Sequence, residues 1–166
     1  DKAKIIMDLA IEKMPLDYFG YYSLLVPFVD GYYRIDEEEK ARDLSQKIAY
    51  KYADRLEYFA SLDTNTQYGL GEEIITEIER YRVLVEADLK HGEKSNLALT
   101  LNQFIGASLP FKYLYGDYEF YTSLVDVVEG YYLIDEIELA QNLSTKIANQ
   151  YSERMELFAQ FSPSNQ

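Results

Sequence analysis

Residues 29–60 read VDGYYRIDEEEKARDLSQKIAYKYADRLEYFA, and residues 128–159 read VEGYYLIDEIELAQNLSTKIANQYSERMELFA. The match extends without a gap over 24–67 and 123–166, at an offset of 99 residues (24 falls on 123). Roughly half of the positions are identical, which marks the duplication of one supersecondary unit. Each copy carries a stripe of apolar or small residues: Ala41, Leu44, Ile48, Tyr52, Leu56 and Phe59 in one, Ala140, Leu143, Ile147, Tyr151, Met155 and Phe158 in the other. Steps of three and four place such residues on one face of a helix, not of a strand. A preceding helix ends near Tyr33 and near Tyr132. Asp36 and Asp135 then stand where an N-cap belongs, and Glu39 and Glu138, three residues on, complete a capping-box pattern. Each copy therefore predicts two helices joined by a tight turn.

Two further helical stripes lie between the copies. One runs through Ile74, Ile75, Ile78, Tyr81, Val85 and Leu89; a shorter one runs through Leu97, Leu101, Phe104 and Ile105. Breaks are expected at Asp63–Gly71, at His91–Ser95, and at Gly106–Gly116 around Pro110. With the helix that opens the chain, the reading is all-α with about seven helices. It is taken as a single domain over 1–166: a partial repeat at 1–15, a helix pair at 20–60, middle helices at 69–106 and a second pair at 117–160. The polar tail 162–166 is expected to fray.

Composition narrows the function classes. The 166 residues hold 29 acidic and 16 basic side chains, a formal charge of −13. A nucleic-acid ligand needs a basic surface to displace counterions from phosphate, so no nucleic-acid partner is expected. An anionic lipid leaflet would also repel the chain. Cysteine is absent, which removes disulfides, thiolate metal sites and a thiol nucleophile. No apolar stretch reaches the ~20 residues of a membrane span, so no direct membrane insertion is expected. The first residue is Asp, inside what reads as a helix, and the chain is read as a fragment of a longer protein.

The duplicated unit has the spacing of a tetratricopeptide repeat, in which small and aromatic residues at fixed offsets let one helix nest against the next. Leu25, Phe28, Val29, Tyr32, Ala41, Ser45 and Ile48 fall on that spacing, as do Leu124, Val127, Val128, Tyr131, Ala140, Ser144 and Ile147. Ala3, Met7, Ala10 and Pro15 fit a lone second helix of such a unit. Leucine stands where the repeat usually has tryptophan, no proline ends either long second helix, and the middle helices fit poorly. The expectation is thus tetratricopeptide-like antiparallel helix pairs in a right-handed superhelix. The runs AKIIMDLAIEKMP, LLVPFVDGYYRIDEEEKARDLSQKIA and YADRLEYFASL together resemble the C-terminal soluble region of multi-pass membrane proteins of Bacteroidetes. The membrane half of those proteins is similar to protein O-mannosyltransferases. That resemblance implies an accessory region on the periplasmic or other extracytoplasmic face, with the transferase chemistry residing outside this chain.

Candidate chemistry is sparse. The acidic run Asp36-Glu37-Glu38-Glu39 fits the positive end of a helix dipole better than a cation site. His91 is the only histidine, and no HExxH, CxxC, GxSxG, P-loop or GxGxxG pattern occurs, so no cofactor, metal or catalytic residue is assigned. The glycines at 20, 31, 69 and 71 form no phosphate cradle. Tyr32 and Tyr131 occupy core positions of the repeat. By the same spacing, Asp30, Tyr33 and Arg34, with Glu129 and Tyr132 in the second copy, point to the inner face of the superhelix. Acids beside aromatics there suit a protein or peptide partner, or equally a packing surface against the middle helices. The leading expectation is a non-catalytic interaction or scaffolding module. The alternatives are a structural cap or homo-oligomerisation domain, and a hydrolase with a carboxylate pair and His91 in one deep pocket.

Overall fold

The computed structural model describes residues 2–16, 22–91 and 94–161, and all regular structure among them is helical. The expected fraying of 162–166 and the glycine at 20 lie outside the described residues. The helices are α1 (Lys2–Lys13), α2 (Val26–Arg34), α3 (Glu38–Ala60), α4 (Thr64–Gly69), α5 (Gly71–His91), α6 (Lys94–Ser108), α7 (Lys112–Tyr115), α8 (Asp117–Thr122), α9 (Val125–Leu133) and α10 (Ile137–Phe161). Short 3-10 turns precede α2 and α7. The chain divides into two compact units, 1–110 and 111–166.

In the first unit, α3 is the central element and contacts α2, α5 and α6. Its whole stripe is buried, from Ala41 through Leu44, Ile48, Tyr52 and Leu56 to Phe59. Ser45 meets Asp88, Tyr52 meets Tyr81 and Arg55 meets Glu73, so α5 runs antiparallel to α3. Tyr81 against Phe104 and Asp88 against Thr100 show α6 folding back along α5 in the same way. The charge order of α5 suits its dipole, with Glu72 and Glu73 in the first turn and Lys90 and His91 in the last. The core is aromatic: Tyr52 stacks on Tyr81 at 5.0 Å, and Tyr22 and Phe104 meet that pair edge-on. Such pairs add about 0.5–1.5 kcal/mol each beyond their buried area.

α1 is attached differently, because it buries no residue. Asp8 accepts hydrogen bonds from the Tyr32 hydroxyl at 2.7 Å and from Lys40 at 2.5 Å, and Lys4 pairs with Glu37. At Gly31 the helices come close: a Cβ there would stand 2.8 Å from Met7 Sδ.

The turn inside each duplicated pair corrects the capping-box expectation. Asp36 and Asp135 have φ of 59° and 64°, in the left-handed region. The amide of Asp36 donates to Tyr33 O and that of Glu37 to Tyr32 O; Asp135 and Glu136 repeat this on Tyr132 O and Tyr131 O. Those two bonds are the Schellman closure of a helix C-terminus. The aspartates therefore end α2 and α9 rather than opening α3 and α10. Glu37 takes the N-cap place of α3 and makes no side-chain capping bond. Aspartate fits because its short polar side chain tolerates left-handed backbone better than most residues with a Cβ.

The expected break at Asp63–Gly71 is itself largely helical. Asp63 caps α4, accepting from the amides of Asn65 and Thr66 and from the Thr66 hydroxyl. The Gly106–Gly116 break falls later than its first glycine, since α6 runs on to Ser108. In the second unit α10 contacts α9 and α8, and Phe120, Leu124, Val127, Tyr131, Ala140 and Ile147 are buried. Gly116 has φ 81° and turns the chain from α7 into α8.

Candidate functional site

The first-unit residues singled out from the sequence meet at the C-terminal end of α5. Asp30 is half-buried; its Oδ2 lies 2.6 Å from Arg34, and its Oδ1 lies 2.5 Å from His91 Nε2 and 3.2 Å from Lys90. Burial alone would raise the Asp30 carboxyl, but the His91 and Lys90 hydrogen bonds and the Arg34 charge outweigh it and hold it low. Tyr33 stacks on His91 at 5.6 Å, and its hydroxyl is buried without a partner. Burial, with the Asp88 charge behind it, pushes that hydroxyl up to about 12. Arg34 is exposed.

One layer deeper, Asp88 is fully buried. Its Oδ2 accepts from Ser45 and Thr100, each at 2.7 Å, while Oδ1 has no partner. Burial raises this carboxyl above its ordinary range, and the hydroxyl bonds offset only part of that. Nothing in the sequence marked Asp88, because one acid on a helix of mixed charge carries no periodic signal.

Acids also gather at the opposite end of α5. A cleft of about 680 Å³ is lined by Glu72, Glu73 and Glu77 with Tyr22, Arg55 and Arg80. Glu73 pairs with Arg55 at 2.5 Å; Glu77 accepts from the Tyr22 hydroxyl and faces Arg80 at 3.7 Å. His91 is at the other end of the helix, about 21–29 Å along it at 1.5 Å per residue. The structure does not bring the histidine to these acids. Among the described residues, no group of three or more His, Asp or Glu could hold a metal ion, and no helix is long and apolar enough to cross a membrane.

In the second unit the corresponding surface is open. Glu129 and Tyr132 line a shallow groove of about 490 Å³ between α9 and α10, with Val125, Val128, Ser144 and Ile147. Ile147 is buried like its counterpart Ile48, but Val125, Val128 and Ser144 are not, whereas their first-copy counterparts Val26, Val29 and Ser45 are. The contrast grows along α10. Tyr52 is 0% exposed and its counterpart Tyr151 46%; Leu56 is 1% and Met155 71%; Phe59 is 1% and Phe158 61%. Tyr151, Met155 and Phe158 lie on one face at helical spacing. Tyr118 meets Tyr151 edge-on, and Arg154 lies over the Tyr118 and Phe158 rings.

The structure thus gathers Asp30 and Tyr33 around His91, with Arg34 paired to Asp30, and leaves Glu129 and Tyr132 in a groove free of such packing. Sequence reasoning named these groove residues but missed Tyr151, Met155 and Phe158, whose pattern is that of a covered core. The two stripes carry the same pattern, so the letters within the copies hold no signal that separates them. Searched against protein-family models, curated proteins and solved structures, the chain matches none.

Proposed function

We propose that this chain is a non-catalytic protein–protein interaction or scaffolding module, built of tetratricopeptide-like helix pairs arranged as a right-handed superhelix. It serves as the accessory region of a membrane glycosyltransferase-like protein on the extracytoplasmic side, and its partner is a protein or peptide. The observation that carries the reading is the uncovered face of α9 and α10. An aromatic and aliphatic stripe that is core in one copy stands in water in the other. Contiguous exposed apolar side chains beside a groove are the usual mark of a protein-binding surface. Glu129 and Arg154 at its two ends supply charge for orientation, and neither is ion-paired among the described residues.

The test is a photo-crosslinking residue placed at Tyr132 or Met155 in the full-length protein in its own cells. A discrete protein adduct is expected at both positions, together with altered glycosylation when residues 1–166 are deleted. No adduct at either position and unchanged glycosylation would sink the reading.

A further inference from the structure

The first copy contains its own ligand. The face of α2 and α3 that corresponds to the open face of α9 and α10 is covered by α5, lying antiparallel to α3, and α6 also packs on α3. The contacts keep a definite order along α5. Glu73 near its start pairs with Arg55; Tyr81 in the middle stacks on Tyr52; Asp88 accepts from Ser45; Lys90 and His91 at its end meet Asp30.

The second copy keeps the receiving side chains, and among the described residues no counterpart of α5 covers them. Arg154 stands for Arg55, Tyr151 for Tyr52, Ser144 for Ser45 and Phe158 for Phe59, all identical; Met155 replaces Leu56, and Glu129 replaces Asp30 with the charge kept. Among the other α3 positions, Lys40, Arg42, Asp43 and Tyr50 become Leu139, Gln141, Asn142 and Asn149, while Lys47 and Glu57 persist as Lys146 and Glu156. The duplication has therefore preserved a surface on which Tyr151, Met155 and Phe158 stay exposed, with Tyr118 of α8 against Tyr151 and Arg154.

We infer that the α9–α10 face seats a helix of the partner polypeptide that reproduces the α5 pattern and runs antiparallel to α10. This rests on the interaction-module reading and adds the chemistry of the partner. The seated helix carries an acid in its first turn opposite Arg154 and aliphatic residues over Met155 and Phe158. An aromatic ring faces Tyr151, a carboxylate or amide accepts from Ser144, and basic residues in the last turn face Glu129. That order of charge also satisfies the helix dipole, so a stable helix of this kind inserts in one direction only.

The experiment uses the intact 166-residue chain and a synthetic peptide of residues 71–91, with amide exchange read along α10. Saturable protection of residues 148–160 by at least tenfold is expected, and Met155→Glu or Arg154→Glu should abolish it. An isolated helix of this length is marginal in water. A second protein therefore carries a copy of residues 63–108 joined after Phe161, as the original is joined to Leu62, which raises the local concentration of the helix. The same protection is expected there without added peptide. Three results overturn the inference. One is unchanged exchange of 148–160 in both experiments. Another is peptide binding that survives Met155→Glu, because the peptide then sits elsewhere. The third is self-association of the parent chain by light scattering that Met155→Glu dissolves, because a second copy is then the occupant. Each leaves the cellular crosslink at Tyr132 standing or falling on its own.

Discussion

Replacing Asp36 in turn by Asn, Gly and Ser separates two roles that an aspartate between helices can fill. All three substitutes are uncharged, so the loss of the carboxylate at the α3 dipole is common to them and cancels. At φ 59° a residue with a Cβ costs about 1–2 kcal/mol, of which Asn recovers part through local hydrogen bonding. Glycine has no such cost but brings about 0.5–1 kcal/mol of extra chain entropy to be lost. As a helix terminator the order is therefore Gly at or above Asn, with Ser about 1 kcal/mol below Gly. As an N-cap the order would differ: Ser level with Asn, and Gly a few tenths of a kcal/mol lower. The assay is urea unfolding of the intact chain monitored by far-UV circular dichroism, comparing midpoints at constant slope. A difference of 1 kcal/mol moves Tm by about 4–8 °C in a unit of this size, well within reach. Asp135, at φ 64°, is an internal replicate in the second pair. A serine variant as stable as the glycine variant at both positions would refute the terminator assignment.

Three more expectations test the packing. Leu56→Ala should cost about 2–5 kcal/mol because its side chain is enclosed, whereas Met155→Ala should stay within about 0.5 kcal/mol of the parent; equal losses in denaturant titrations would contradict the asymmetry between the copies. Asp88 binds its proton more tightly folded than unfolded, so its contribution is fully present below the unfolded carboxyl range near 3.8 and is lost as pH rises through its raised folded value. The stability of the parent relative to Asp88→Asn should thus decline with rising pH across that window and then level off; a gap that widens with pH would show the assignment to be wrong. The carboxylates of Asp8, Asp30 and Asp63, held low, have the opposite slope but are common to both proteins and cancel. α1, held by Asp8, Lys40, Lys4 and Glu37 without buried side chains, should exchange its amides faster at about 1 M salt, where the screening length is near 3 Å, while α3 is unaffected. Protection of α1 that is indifferent to salt and to Asp8→Asn would mean that something other than charge holds it.

The long helices were legible because their cause is local. The stripe from Ala41 to Phe59 repeats every three or four residues, and that period alone decides the secondary structure and the inward face. Tyr32 and Tyr131, assigned to the core by spacing, are buried as expected. The turn after Tyr33 was misread for an equally local reason. The letters IDEEE fit an N-cap and a left-handed C-terminus alike, and the backbone angle that separates the two is absent from the letters. The spacing left Asp30 and Tyr33 open to a partner or to packing, and only the arrival of His91 and Lys90 from the end of α5 shows them in packing contacts.

The amino-acid sequence by itself thus determined the all-helical class, the duplicated pair and the face each helix buries or could bury. Tertiary structure alone decided which of two nearly identical faces is core. Tyr52, Leu56 and Phe59 carry the same pattern as Tyr151, Met155 and Phe158, yet one set is dry and the other wet. Periodicity fixes where a helix is apolar; burial also needs a second surface to exclude water, and that surface comes from residues distant in the chain.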